Sequence, residues 1–241
     1  MKLKLLFITL LSSFISWSQI AAWDFTGEST VATSAAEVFN LNLDSSNLLT
    51  RGAGANASAG ANSFRTTGFE NNGISTANTD YFQFTLSASV GNSLSLTTID
   101  ARFAGTGTFA ATPGVSCQFA YSLDGVNFTL IGSPTVTVGT PAVLPQIDLS
   151  GIPALQNVSA GTTVTFRYYA SGQTSTGGWG FFSSAAGVYG LQIGGTVNPA
   201  VASPTITTTP ASLSGFFYVV GSGPSSEQSF TVNGINLTNT I

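Results

Sequence analysis

The chain has 241 residues, 43% hydrophobic and only 7% charged, with no histidine, one cysteine and a formal net charge of −4. Proton transfer, nucleophile activation and metal holding fall mainly to the residue types that are scarce here. The composition excludes a histidine-based triad or zinc site, and its four scattered arginines offer no basic stripe for a nucleic-acid backbone.

Residues 1–18 read as a secretory signal peptide. Lys2 and Lys4 give a positive start, and residues 5–15 form an apolar stretch. Ser16 and Ser18 are small residues at the positions a signal peptidase reads, so the expected cut precedes Gln19. A membrane anchor needs roughly 20 apolar residues, more than this stretch offers. Loss of the two lysines leaves four arginines against ten acids, a net charge of −6. The protein is expected to be secreted or held at the cell surface, with no membrane span after signal cleavage.

From there the chain alternates. Residues 20–25 are apolar and strand-like. Residues 31–39 show only a weak helical turn, and residues 51–61 (RGAGANASAGA) are too poor in bulky side chains for a core strand. In residues 81–87, Phe82, Phe84 and Leu86 share one face, and Tyr81, Gln83 and Thr85 the other. Residues 93–103 repeat the pattern, with a bend expected near Thr97 and Thr98. Residues 115–122 and 126–131 follow, joined by a hairpin turn at Asp124 and Gly125, both of which tolerate positive φ. Cys117 falls on the apolar face of the first of these, where a free cysteine behaves as a small hydrophobe. Residues 152–158 hold a second weak helical turn. Residues 162–170 put Val164, Phe166 and Tyr168 opposite Thr165, Arg167 and Tyr169, and residues 189–197 close the series. A period of two marks strands with one buried face.

Short strands at regular spacing predict an all-β fold, a jelly-roll-like antiparallel β-sandwich over residues 19–198. Its first and last runs are both apolar and are expected to pair. Residues 199–204 read as a linker. Residues 205–241 carry strand signals of their own over 216–220 and 228–232. They are too few for an immunoglobulin-like sandwich of about 100 residues, so they read as an incomplete unit and the chain as a fragment of a longer multidomain protein.

Several segments carry a resemblance. They are Ala21-Ala22-Trp23-Asp24-Phe25, Asn62-Ser63-Phe64-Arg65-Thr66-Thr67-Gly68-Phe69, the hairpin around Asp124 and the run Thr165-Phe166-Arg167-Tyr168-Tyr169-Ala170. Together they resemble the N-terminal modules of large secreted proteins of Bacteroidota-type bacteria. Pro210-Ala211-Ser212-Leu213-Ser214-Gly215-Phe216 and Glu227-Gln228-Ser229-Phe230-Thr231-Val232 resemble the start of the immunoglobulin-like repeats that often follow. The resemblance implies a multidomain protein whose further domains share the polypeptide. Related jelly-roll sugar binders often hold a structural calcium between an acid on the first strand and one on the last. Asp24 or Glu28 would serve first, but the last strand offers no acid.

No catalytic motif appears. Glycoside hydrolysis needs two carboxylates about 5–10 Å apart, and the acids here do not cluster in sequence. Asp124 belongs to its turn, Asp44 and Asp80 flank loops, and Asp100 and Asp148 sit in alternating runs. Arg167 and Tyr169 would suit a lyase, and an exposed strand face explains them equally well. The strongest ligand candidate is aromatic. Trp179, Phe181 and Phe182 stand in a glycine-rich stretch with Tyr189 shortly after. Sugars stack on exposed rings, and large rings also fill cores. Trp23, on a strand, reads as core.

Three functions stay open. The first is a non-catalytic extracellular module for adhesion or domain presentation. The second is a carbohydrate-binding module that takes a polysaccharide or other cell-surface ligand. The third is a glycan-active enzyme. An aromatic-filled, closed interior would favour the first and an exposed Trp179 platform the second.

Overall fold

The computed structural model describes residues 19–200 and 204–237. The signal-peptide reading of residues 1–18 lies outside these, as does the middle of the expected linker. The chain divides into two compact units between Pro199 and Ala200. Among the described residues no helix is long and apolar enough to cross a membrane.

The first unit is an antiparallel β-sandwich built on nine longer strands. In chain order they are β1 (Gln19–Trp23), β2 (Leu48–Arg51), β3 (Ser63–Thr66), β4 (Phe82–Leu86), β5 (Asn92–Gly105), β6 (Val115–Ser122), β7 (Val164–Ser171), β8 (Trp179–Phe182) and β9 (Leu191–Pro199). One sheet has ten strands and includes β1-β9-β5-β8-β3 in that order. The other has seven and includes β6-β7-β4-β2. The first and last strands do pair, with Trp23 opposite Leu191 and Ala21 opposite Ile193. The sandwich is thereby closed by its own two ends. The bend expected near Thr97 is a shift of register, since Gly194 pairs with Thr98 and Gly195 with Leu96. Thr97 is the extra residue of a β-bulge.

Two expectations need correction. Residues 31–39 form no helical turn. Ser34–Ala35 pairs with β2 and Val38–Phe39 with β1, which satisfies backbone groups that a lone turn would leave open. The hairpin after β6 is longer than two residues, and its return strand is only Thr129–Leu130. Asp124 holds that loop by accepting from Val126 N, Asn127 N and Asn127 Nδ2. The Asn127 side chain, then the backbone amides, hold its carboxyl below the ordinary carboxylate range.

The interior is aromatic. Tyr168 of β7 and Phe181 of β8 lie in opposite sheets with ring centroids 5.0 Å apart. Phe181 also meets Phe25, Phe82, Phe103 and Phe119. Trp23 of β1 meets Phe84 of β4 at 5.2 Å, again across the sandwich. Such pairs contribute about 0.5–1.5 kcal/mol each beyond the burial of their area. A polar thread through this core runs from Trp179 Nε1, which donates to Tyr168 Oη at 2.9 Å, to Cys117 Sγ, which lies 3.1 Å from the same hydroxyl.

The second unit consists of two antiparallel ladders. Thr205–Thr209 pairs with Thr231–Ile235, and Tyr218–Val219 with Gly223–Pro224. Phe216, Phe217, Tyr218 and Phe230 are all exposed.

Replacing Tyr168 by Phe keeps the ring and deletes the acceptor of the buried Trp179 N–H. An unpaired buried donor costs about 1–3 kcal/mol. Denaturant unfolding of the Tyr168→Phe variant should show a loss of that size. Unchanged stability would mean that the indole finds another acceptor.

Candidate functional site

The aromatic stretch nominated for ligand binding does not form a platform. Trp179 and Phe181 are 0% exposed and belong to β8, which pairs with β3 on one side and β5 on the other. Gly180 lies between them where the strands run close. A Cβ built there would sit 2.0 Å from the Phe64 carbonyl oxygen. The glycines that made the segment look like a loop are what lets a strand fit. Phe182 and Tyr189 are half-buried, and Tyr169 is buried. The six nominated residues therefore do not share one surface. Trp179 and Phe181 face the core, whereas Arg167 and Tyr169 lie on the other face of β7.

That outer face of the seven-stranded sheet carries a distinctive, half-buried arrangement. The Arg167 guanidinium carbon lies 3.8 Å from the ring centroid of Tyr81 and 3.8 Å from that of Phe128. Two aromatic rings, from the residue before β4 and from the loop after β6, thus clasp one cation. The Nε of Arg167 donates to Gln83 Oε1 at 2.9 Å. Register explains the placement, since Arg167 stands opposite Gln83 on one side and Ala120 on the other. The small alanine leaves room for Phe128 to fold back over the arginine. Tyr169 packs edge-on to Tyr81 at 6.0 Å. Burial raises the Tyr169 phenol, and Arg167 beside it opposes the rise. Arg167, Tyr81, Gln83 and Phe128 are all half-buried. Cation–π stacking of this kind is worth about 0.5–2 kcal/mol, and it holds a donor-rich side chain in one pose at the surface. Sequence analysis found Arg167 and Tyr169 and put Tyr81 and Gln83 on the matching face of their strand. Phe128 was missed because residues 126–131 read as a strand, whereas the return strand is only Thr129–Leu130 and Phe128 belongs to the loop before it.

The remaining candidates are structural. The calcium site that the resemblance implies does not fit the residues present. Asp24 accepts from the backbone N–H groups of Thr26 and Gly187, Glu28 accepts from Ser34 Oγ, and the facing strand supplies Gln192 but no acid. Cys117 is among the residues lining a cleft of about 380 Å³, with Phe119, Ile131 and Ile152. Burial pushes its thiol up to about 11, against smaller opposing effects of the Tyr168 and Thr137 hydroxyls. A thiolate is the reactive form, so burial and the raised pKa both disfavour reaction of this thiol at neutral pH. The chain matches no protein-family model and no curated protein.

The Cys117 thiol should be silent to an aromatic disulfide reagent at pH 8 in the folded protein and react fully in denaturant. Rapid labelling without denaturant would contradict its burial.

Proposed function

We propose that residues 19–199 serve as a non-catalytic β-sandwich module of a secreted or cell-surface protein, for adhesion or for the presentation of neighbouring domains. One observation carries this reading. The rings and the thiol that could have formed a binding platform or a nucleophile lie inside the sandwich, where Trp179, Tyr168 and Cys117 bond to one another. A module used for support needs a stable core and no exposed chemistry, and this interior suits that use. The export reading of residues 1–18 and the resemblance to Bacteroidota-type secreted modules supply the location.

A second reading has its own observation. The Arg167 clasp, with Tyr81, Phe128 and Gln83, offers flat apolar edges beside a fixed cation. Such a surface suits a carbohydrate, above all an acidic polysaccharide, whose ring packs on an aromatic and whose carboxylate pairs with guanidinium. A carbohydrate-binding module would use this face and not Trp179.

One set of assays separates the readings. The purified chain should release no new reducing ends from a panel of neutral and acidic polysaccharides, and measurable turnover would contradict the non-catalytic reading. If an acidic polysaccharide binds in affinity electrophoresis, Arg167→Ala should weaken it about tenfold, the equivalent of one lost charge-assisted bond. Trp179→Phe, if folded, should leave it unchanged. Binding insensitive to Arg167 would reject the second reading.

A further inference from the structure

Two asparagines of the described residues precede glycine, Asn72 before Gly73 and Asn233 before Gly234. An asparagine so placed can close on its own main chain, because glycine carries no side chain to hinder the approach of its nitrogen to the asparagine amide carbon. The two positions differ in what holds them. Asn233 lies in the strand Thr231–Ile235, opposite Thr207, and Thr207 Oγ1 donates to its carbonyl at 3.4 Å. Pairing keeps that stretch extended. Asn72 and Gly73 belong to no strand. Glu70, Asn71, Asn72 and Gly73 are all exposed, Gly73 has a φ of 85°, and a Cβ built on it would meet nothing within 4 Å.

This short segment is tied to the end of β7. Gly172 N donates to Glu70 O at 3.0 Å and Gly73 N to Ser171 Oγ at 3.1 Å. Asn78 Nδ2 donates to Gly73 O at 3.1 Å, and Asn72 Nδ2 to Glu70 Oε2 at 3.0 Å. The Asn72 amide therefore stands at the surface against an exposed carboxylate. The bond that opposes ring closure is that of Gly73 N to Ser171, the last residue of β7 and only 9% exposed.

We propose that Asn72 is a site of spontaneous deamidation whose rate Ser171 sets. Gly73 N gives up its proton to hydroxide or a buffer base and attacks Asn72 Cγ. The new N–Cγ bond closes a cyclic imide while the Cγ–Nδ2 bond breaks, and Nδ2 takes a proton from water and leaves as ammonia. Water then opens the imide at either carbonyl, which yields aspartate or isoaspartate. The sum is amide plus water to acid plus ammonia, with no oxidant or reductant. The nitrogen held by Ser171 Oγ is the attacking atom, so the step waits for that bond to open. One hydrogen bond of this kind slows it by up to about tenfold. The product also undoes its surroundings. A carboxylate at position 72 replaces the amide that donates to Glu70, and like charges repel. Isoaspartate adds a methylene to the main chain directly before Gly73. Either change loosens the Glu70–Gly73 segment from β7, close to Thr76, whose carbonyl lies 3.5 Å from the Tyr169 hydroxyl.

Peptide mapping of the full chain, incubated folded and in denaturant at mildly alkaline pH, tests this. Asn72 should convert in the folded protein, ahead of Asn233 and within about tenfold of its rate in denaturant. Ser171→Ala should close that gap and leave the denatured rate unchanged. Protection of the Gly73 amide from hydrogen exchange in the wild type reads the same bond, so it should match the gap even if Ser171→Ala does not fold. Asn72→Gln, at an exposed position, should fold and lose the conversion. Asn72→Asp should speed exchange at Gly73 and Gly172. An Asn72 that stays intact in the folded protein while the denatured chain converts, or conversion of the folded protein confined to Asn233, would overturn the site. A folded rate that Ser171→Ala does not raise, despite a protected Gly73 amide, would overturn the role of Ser171.

Discussion

Everything else in the sandwich rests on the contact between Tyr168 and Phe181. It joins the two sheets at their centre, with ring centroids 5.0 Å apart, and it lies within a continuous set of ring pairs. Tyr168 touches Phe69, Phe82, Phe103 and Phe119 as well. The same tyrosine accepts the Trp179 N–H and reaches the Cys117 sulfur, so one side chain satisfies both the apolar and the polar demands of the core. Rings bring much buried area with few rotatable bonds. A chain with one cysteine and no internal disulfide gains its rigidity from them.

The scarce charges follow from that interior. Arg51 projects toward the core side of β2, its guanidinium carbon 3.4 Å from the Phe64 ring centroid, and its Nη1 donates to the Val31 and Ala32 carbonyls. Burial lowers its pKa to about 10, with Glu28 opposing, so it stays charged at neutral pH. Arg65 donates to the Gly178 carbonyl, at the mouth of β8. Arg167 is clasped by Tyr81 and Phe128 on the opposite face of its sheet. Three of the four arginines thus act as struts on rings, carbonyls or amides. Planar guanidinium suits that work better than ammonium does.

Much of this was legible in the sequence, and the parts that were not share one cause. Period-two alternation located β4, β5, β6, β7 and β9, and the apolar ends anticipated the pairing of β1 with β9. Cys117 was correctly read as core from its position in Val115-Cys117-Phe119. The strand β8 was hidden because it has four residues and one is a glycine. Its alternation could not be told from a glycine-rich loop until the neighbouring strands showed how close they come. The meeting of Phe128 with Arg167 was hidden because loops bring together residues that sequence spacing keeps apart. Local pattern reports which face a side chain takes. It does not report which loop folds over that face.

The central claim is that the rings are interior, and tryptophan fluorescence tests it most directly. In a Trp17→Phe protein the remaining indoles are Trp23 and Trp179, both 0% exposed. Their emission should be blue-shifted, resist acrylamide quenching and stay unchanged when polysaccharide is added. Red-shifted emission that acrylamide quenches, and that a polysaccharide protects, would contradict the account and return Trp179 to a ligand-facing surface.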